Sequence, residues 1–439
     1  MYLRKRKKMD RFKKLSYTSL LLIFSCLHLN GMYLTPDTLV RKQQLSFNGS
    51  VESVSWCCDA DEKFVVVAGN PCDFNDPSVI VYEIENGLLK TPAFDTLILG
   101  ENNFNIYPGT SVEWCCTEVP ELLAIGGAFS TSDCADDGGV QIYSKGPSQL
   151  DFMATFTHGG KINAVAWLCG CCDDDHNPVI AIAGEAGDCG TGNEIRILEF
   201  DPTNTTFNPI ASFTHGAPIY SLDWCCRSGS SRAYLAAGGQ PAECGGPNLG
   251  IYVLVCKSGG QFEADVVTNS QTTGADLHAV RWCCDPNSKY LKLAVGGKPN
   301  GSGINTQIYN LFNNRFSKFV DKVITNTTDP ATIFTIDWNP LCSCQYVTYG
   351  TGCQETCGHN LFVYKINRQN SVCSLDLVTS TNFDENITSL EWCSDTKGAY
   401  LIVGASPESQ CVESKKEIAL YKAAFCQLQA GTICNRIPT

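Results

Sequence analysis

Short runs of alternating apolar and polar residues recur along most of the chain, and seven of them end on tryptophan: VESVSW, GTSVEW, INAVAW, IYSLDW, LHAVRW, IFTIDW and ITSLEW. Apolar residues at every second position are what a strand with one buried face requires. After each run comes a polar turn, then a small, apolar run closing on glycine (FVVVAG, LLAIGG, VIAIAG, YLAAGG, LKLAVGG, YVTYG, YLIVG). A loop rich in Gly, Asn, Asp and Cys follows, and then a third run of branched and aromatic residues such as VIVYEI, VQIYS or GIYVLV. A weaker fourth run precedes the next tryptophan, as in FMATFT at 152–157 and IASFT at 210–214. The tryptophans are Trp56, Trp114, Trp167, Trp224, Trp282, Trp338 and Trp392, 53 to 58 residues apart. Four short strands per unit, repeated seven times, predict an all-β chain: a seven-bladed β-propeller of four-stranded antiparallel blades. A closed ring leaves no free sheet edge, so the strand-like stretch Thr38–Phe47 is expected to complete the blade that holds Trp392. The tail from Phe425 to Thr439 is the competing candidate for that place.

At this point the residues resemble the WD-repeat β-propeller family. THGGKINAVAW (157–167) and THGAPIYSLDW (214–224) are similar to its His-containing turn leading into the innermost strand, and VQIYS or VIVYE to its aromatic third strand. The resemblance spans roughly residues 38–425. It implies a rigid platform for protein partners and a structural hydrogen bond for His158 and His215. There are departures. The third strand carries Tyr82, Tyr143, Tyr309, Tyr364 and Tyr421 where the family has its Trp-Asp pair, and the period exceeds the family's usual ~40–45 residues, so the loops are enlarged.

Charge divides the chain. Of 439 residues, 32 are Lys or Arg and 45 are Asp or Glu, a net charge of −13. That balance argues against nucleic acid as a bulk partner, because phosphate binding needs clustered cations. Eight of the basic residues stand within residues 1–32, ahead of the apolar stretch LSYTSLLLIFSCLHL (15–29). A basic run followed by about fifteen apolar residues suits a signal peptide better than a membrane span. Residues 1–32 therefore predict export, by cleavage, by lipidation at Cys26 in the lipobox-like Ile23-Phe24-Ser25-Cys26, or as a retained anchor. Residues 33–439 form the propeller.

Twenty-six cysteines are the most unusual feature of the composition. One set follows the tryptophan of a repeat: Cys57-Cys58, Cys115-Cys116, Cys225-Cys226, Cys283-Cys284, then Cys169, Cys171 and Cys172, Cys342 and Cys344, and Cys393. A second set lies in the loops after the second strand: Cys72, Cys134, Cys189, Cys244, Cys353, Cys357 and Cys411. In an exported chain this density reads as a disulfide framework. The two sets are separated by a strand of about six residues, roughly 20 Å at ~3.3 Å per residue, so they lie too far apart to pair within one blade. Vicinal rings, bridges between neighbouring blades and bridges within a loop, such as Cys353 to Cys357, all stay open. Cys169, Cys171, Cys172 and His176, with Asp173–Asp175 between, are a zinc alternative, as is Cys353–Cys357 with His359, but both lack the two spaced pairs of a structural zinc site.

Catalytic and cofactor motifs are lacking. There is no Gly-x-Ser-x-Gly, His-Glu-x-x-His, phosphate loop or calcium loop, and no cofactor is predicted. The loops after the second strands, on one face of the ring, are the binding candidates. They carry Asp73, Asp76, Asp133, Asp136, Asp137, Glu185, Asp188, Glu194, Glu243, Glu355, Glu408 and Glu413 against Lys298, Lys415 and Lys416. Such an imbalance favours a basic protein or peptide, although solvated loops that keep the protein soluble would look the same. Five N-x-S/T sequons mark glycan acceptors only in a eukaryotic secretory route. Two rivals to an exported interaction scaffold remain: a disulfide-cross-linked envelope component, and an enzyme whose centre lies in the channel. The second would use Glu113, Asp223, Asp337 and Glu391, each just before its tryptophan, where a carboxylate also serves as a strand hydrogen-bond acceptor.

Overall fold

In the computed structural model the tryptophan runs become the innermost strands of seven antiparallel sheets arranged in a ring. The described residues run from 38 to 423, less 58–62, 74, 100–110, 117–120, 129–137, 171–175, 187–191, 228–229, 243–245, 259, 271–274, 286–287, 326–329, 354–357, 370–371, 384, 396–397 and 407–416. The export segment, the C-terminal tail and many loop tips thus lie outside them.

Each blade runs outward from the axis in chain order. The fourth blade is typical: β15 (Ile219–Cys226) pairs with β16 (Arg232–Gly239), β16 with β17 (Leu249–Lys257), and β17 with β18 (Gln261–Ser270). The blade before it is β11 (Ile162–Leu168) to β14 (Thr206–Phe213), and the blade after it β19 (Leu277–Cys283) to β22 (Arg315–Lys322). The first blade departs from this plan, because its outer edge is divided between Leu88–Leu89 and Asp95–Leu97. In the last blade, β1 (Leu39–Leu45) pairs antiparallel with β29 (Ile418–Ala423), Leu39 opposite Ala423 and Leu45 opposite Ile418. The start of the described chain thereby supplies the outer strand of its final blade, joining the two ends by backbone hydrogen bonds.

The core lies between blades. All seven tryptophans are buried, and each packs on the preceding blade: Trp224 joins Ala164, Ala166 and Ala181, while Trp56 joins Tyr400 and Ile402 across the closing seam. A large flat ring at each seam supplies much apolar area with few rotamers to fix. Glycine near the end of the second run has a steric purpose. A Cβ on Gly238 would stand 2.6 Å from Val280 Cγ1 of the next blade, and one on Gly296 would stand 2.8 Å from Ile333 Cγ2. Only glycine lets the next inner strand approach this closely.

Four described disulfides bridge successive blades: Cys57–Cys116, Cys115–Cys169, Cys225–Cys284 and Cys283–Cys344, with Cα separations of 5.6 to 5.8 Å. All sit beyond the tryptophan ends, on one face of the ring. Bridges between neighbouring blades are thus realised. Vicinal rings are not formed at Cys115-Cys116 or Cys283-Cys284, because each of those sulfurs binds a different partner. Of the second set, Cys72 and Cys353 are disulfide-bonded, and Cys134, Cys189, Cys244, Cys357 and Cys411 lie outside the described residues. Cys393 is free and buried.

Candidate functional site

The channel is built by the inner strands, and three rows of residues line it. The lower layer is the residue just before each tryptophan. In five of the seven blades its side chain reaches sideways to the main chain of the next blade: Ser55 Oγ accepts the Trp114 N–H (3.2 Å), Glu113 Oε2 the Trp167 N–H (2.8 Å), Asp223 Oδ2 the Trp282 N–H (2.5 Å), Asp337 Oδ2 the Trp392 N–H (2.6 Å) and Glu391 Oε2 the Trp56 N–H (2.8 Å). Two residues earlier a second tier repeats the pattern, with Ser53, Ser111, Ser221, Thr335 and Ser389 accepting from Val112, Val165, Val280, Leu390 and Val54. These acceptors tie each inner strand to the next around the ring, and the ionised carboxylate of Asp223 makes the stronger kind of bond.

Arg281 is the basic member of the lower layer. Its Nη1 donates to Asp223 Oδ1 at 3.1 Å, and its Nε lies 3.8 Å from Asp337 Oδ1. Withdrawal from bulk water drives all four carboxylic acids upward against the pull of this guanidinium. Glu113 and Glu391 are pushed up to about 8 and Asp223 to about 6, and Asp337 is raised as well. At neutral pH the first two therefore hold protons, while Asp223 carries charge opposite Arg281. The sequence proposed these four acids either as a catalytic set or as strand acceptors. Every one of them accepts a backbone N–H, which is the second role.

The upper layer lies at the channel mouth. Six inner strands contain a β-bulge, and the residue skipped by the register is Glu52, Asn163, Tyr220, His278, Phe334 or Thr388. A bulge re-aims a side chain, and all six line one cavity of about 140 Å³. Their chemistry differs at every blade. Tyr220 stacks on His278 (ring centroids 5.2 Å, 20° between planes), and Phe334 lies 5.5 Å from the same imidazole. Burial lowers the His278 pKa, and its buried Nε2 has no hydrogen-bond partner. Glu52 is raised by burial and accepts from Ser50 Oγ at 2.8 Å.

This mouth was not among the residues singled out from the sequence, although a signal for it exists. The inner runs do not place apolar residues at every second position: Ile219, Leu222 and Trp224, or Leu277, Val280 and Trp282, are spaced by three and then two. The step of three is the bulge.

The second-strand loops open onto the same face as the mouth. Asp73 is exposed and accepts from the Asn75 backbone and side chain (3.0 and 2.8 Å), while Asp76 is half-buried and accepts from Asn48 Nδ2. Glu185 is half-buried, and its carbonyl lies 3.1 Å from His158 Nε2. Glu194 is not a surface acid. It is buried and accepts the His215 N–H at 2.8 Å, while His215 Nε2 lies 3.2 Å from the Gln240 carbonyl. Lys298 is paired with Asp276. Asp133, Asp136, Asp137, Asp188, Glu243, Glu355, Glu408, Glu413, Lys415 and Lys416 lie outside the described residues. The zinc alternative at 169–176 loses a ligand, because the Cys169 sulfur is bonded to Cys115, and His176 instead packs on Phe262. Among the described residues no group of three or more His, Cys, Asp or Glu is placed to hold a metal ion.

Seven blades in a ring, one tryptophan seam between each pair and a His-bearing turn in two of them make a seven-bladed β-propeller, a fold shared with WD-repeat proteins. No protein-family profile matches the sequence, and no curated protein does. Solved structures do match in fold. A chain of the structure titled "Crystal Structure of Mitotic Checkpoint Complex" aligns with a TM-score of 0.54 at 15% identity, over 90% of this chain and 97% of that one. The WD40 repeats of RRP9 align at 0.52 and 13% (89% and 98%), and U3-55K at 0.51 and 12% (90% and 100%). At such identities the likeness is one of fold.

Proposed function

We propose that this protein is an exported scaffold for protein–protein interaction, and that it grips its partner at the channel mouth and the acidic loops around it. The observation that carries this reading is the bulged layer. Six repeat-equivalent positions project Glu52, Asn163, Tyr220, His278, Phe334 and Thr388 into one cavity, while the row directly beneath them is small throughout: Ser53, Ala164, Ser221, Ala279, Thr335 and Ser389. Repeats need uniform residues to close a ring and varied ones to recognise something. An aromatic arc beside a carboxylate, flanked by Glu185, Asp73 and Asp76, suits a basic peptide, with a Lys or Arg side chain over the rings of Tyr220 or Phe334 and directed to Glu52. The solved propellers that share the fold include a member of a checkpoint complex, which agrees with a role in assembly. Export is supported by the basic-then-apolar leader and by the inter-blade disulfides, which persist in oxidising compartments. The channel acids are assigned to ring closure, so no catalytic step is drawn from them.

The test is a peptide-array or display selection on the oxidised protein, followed by Tyr220→Ala and Phe334→Ala. Enriched sequences with a basic residue, whose binding falls at least ten-fold in both variants while folding is retained, are the expected result. Selection of acidic sequences, or binding untouched by both variants, would overturn the assignment.

A further inference from the structure

On the opposite, disulfide-bearing face, blades four and five enclose a second cavity of about 240 Å³. One wall is Cys226, Arg227, Ser230, Arg232 and Tyr234. The other is Lys289 with Leu291, completed by the β21–β22 hairpin, β21 being Thr306–Phe312. Asn313 and Asn314 turn that hairpin at φ 48° and 59°, a left-handed pair of the kind Asn tolerates in a two-residue turn. The Cys225–Cys284 bridge fixes the two walls to each other.

In a chain of net charge −13, the charged groups that line this cavity among the described residues are all cations: Arg227, Arg232 and Lys289. Arg227 is anchored by Nη2, which donates to the Ser288 carbonyl at 2.7 Å, but its Nε is buried and has no partner. A buried guanidinium donor left unpaired is costly and marks a place where an acceptor belongs. Arg232 and Lys289 are exposed, and Lys289 sits over the Phe312 ring at 4.6 Å, with no ion pair among the described residues. Tyr234, Leu311 and Phe312 supply an apolar and aromatic side to the same space. The volume is below the ~300 Å³ at which drug-sized ligands begin, so it suits one ring and a compact head group.

We infer that this cleft is a binding site for an aryl oxyanion monoester, a phosphate or sulfate ester on an aromatic ring, with Arg227 and Arg232 on the oxyanion and Phe312 and Tyr234 along the ring. Guanidinium groups match tetrahedral oxyanions in geometry and charge, and two lining one cavity give the selectivity that a single surface lysine lacks. This site is independent of the channel mouth and of any partner held there.

Isothermal titration of the oxidised, full-length protein with phenyl phosphate, phenyl sulfate and neutral phenol tests it. At least one ester should bind saturably with one site per chain, phenol should not bind, and Arg232→Ala and Lys289→Ala, both at exposed positions, should each weaken the ester at least five-fold. Preference for phenyl phosphate assigns a phosphoryl ester as the natural head group, and preference for phenyl sulfate a sulfuryl ester. Binding of neither ester, equal binding of phenol, or ester binding undiminished in both variants overturns the inference. Should Arg232→Ala fail to fold, Lys289→Ala and Tyr234→Phe, which removes the hydroxyl that donates to Asn314 Oδ1 at 2.9 Å, keep it testable: the first loses ester affinity and the second keeps it.

Discussion

Replacing Arg281 with methionine removes the cation of the lower channel layer and keeps much of its bulk. Two carboxylates then lose their partner, Asp223 at 3.1 Å and Asp337 at 3.8 Å. With an effective dielectric of about 20, each contact carries roughly 4–5 kcal/mol of gross attraction, most of it offset by the cost of desolvating the guanidinium. Breaking one side of such a pair typically costs about 3–5 kcal/mol, because the orphaned charges stay behind. The expected loss near pH 7.5 is therefore about 3 kcal/mol, measured by denaturant unfolding with the disulfides intact. The pH dependence separates this cause from simple loss of packing. Asp223 is pushed up to about 6 even beside Arg281, so near pH 4.5 it is protonated and the closer of the two contacts has lost its charge. The deficit of the variant should then shrink, by roughly half. An equal deficit at both pH values would refute the electrostatic reasoning and leave Arg281 as a packing residue.

Further outcomes follow from the same geometry. Glu113 and Glu391 titrate near 8 in the folded chain but near 4.5 when unfolded, so between those values the native state binds more protons and stability falls as pH rises, by up to about 1.4 kcal/mol per pH unit for each group. The double variant Glu113→Gln/Glu391→Gln keeps an acceptor for each Trp N–H and should flatten that slope between pH 5 and 7.5; an unchanged slope places its origin elsewhere. Removing the Cys57–Cys116 bridge with serine at both positions opens a loop of 59 residues, which chain entropy values at about 4 kcal/mol, read as a lower denaturation midpoint of the oxidised protein. Gly238→Ala should cost about 1–3 kcal/mol through contact with Val280, whereas Gly301→Ala, with open space around it, should be neutral in the same thermal melt.

The architecture was readable because the largest side chain of each repeat has one job. A tryptophan that must fill every seam leaves a period that survives divergent loops, and the small run closing on glycine recurs because the next strand presses on it. The site was much less legible. Glu113, Asp223, Asp337 and Glu391 draw attention as acids, yet their partners are main-chain N–H groups of the following blade, which no local pattern displays. The mouth residues share neither type nor charge, so no motif search gathers them; only the step of three between Ile219 and Leu222, repeated in the other inner strands, betrays that Tyr220 and its equivalents are turned out of register. The loop acids fare differently again: Glu194 belongs to the surface by composition, but the N–H of His215 draws it inside.

The bulges have a consequence for how such a molecule can change. The residue at each bulge contributes no rung to the ladder that pairs its inner strand with the second strand; Asn163 and Thr388 still donate across their seams, to the Ile219 and Val51 carbonyls, whereas at Tyr220 the side-chain bond to the next blade begins one residue deeper, at Ser221. At Tyr220, His278 and Phe334 the lining of the mouth and the closure of the ring are thus assigned to adjacent but separable rows of the same strand. Because Tyr220 stacks on His278 and Phe334 lies beside the same imidazole, a substitution at one of them is felt by the neighbouring blades. The mouth of such a ring is therefore revised by groups of blades and not blade by blade, while Asn163 and Thr388 stay tied to closure.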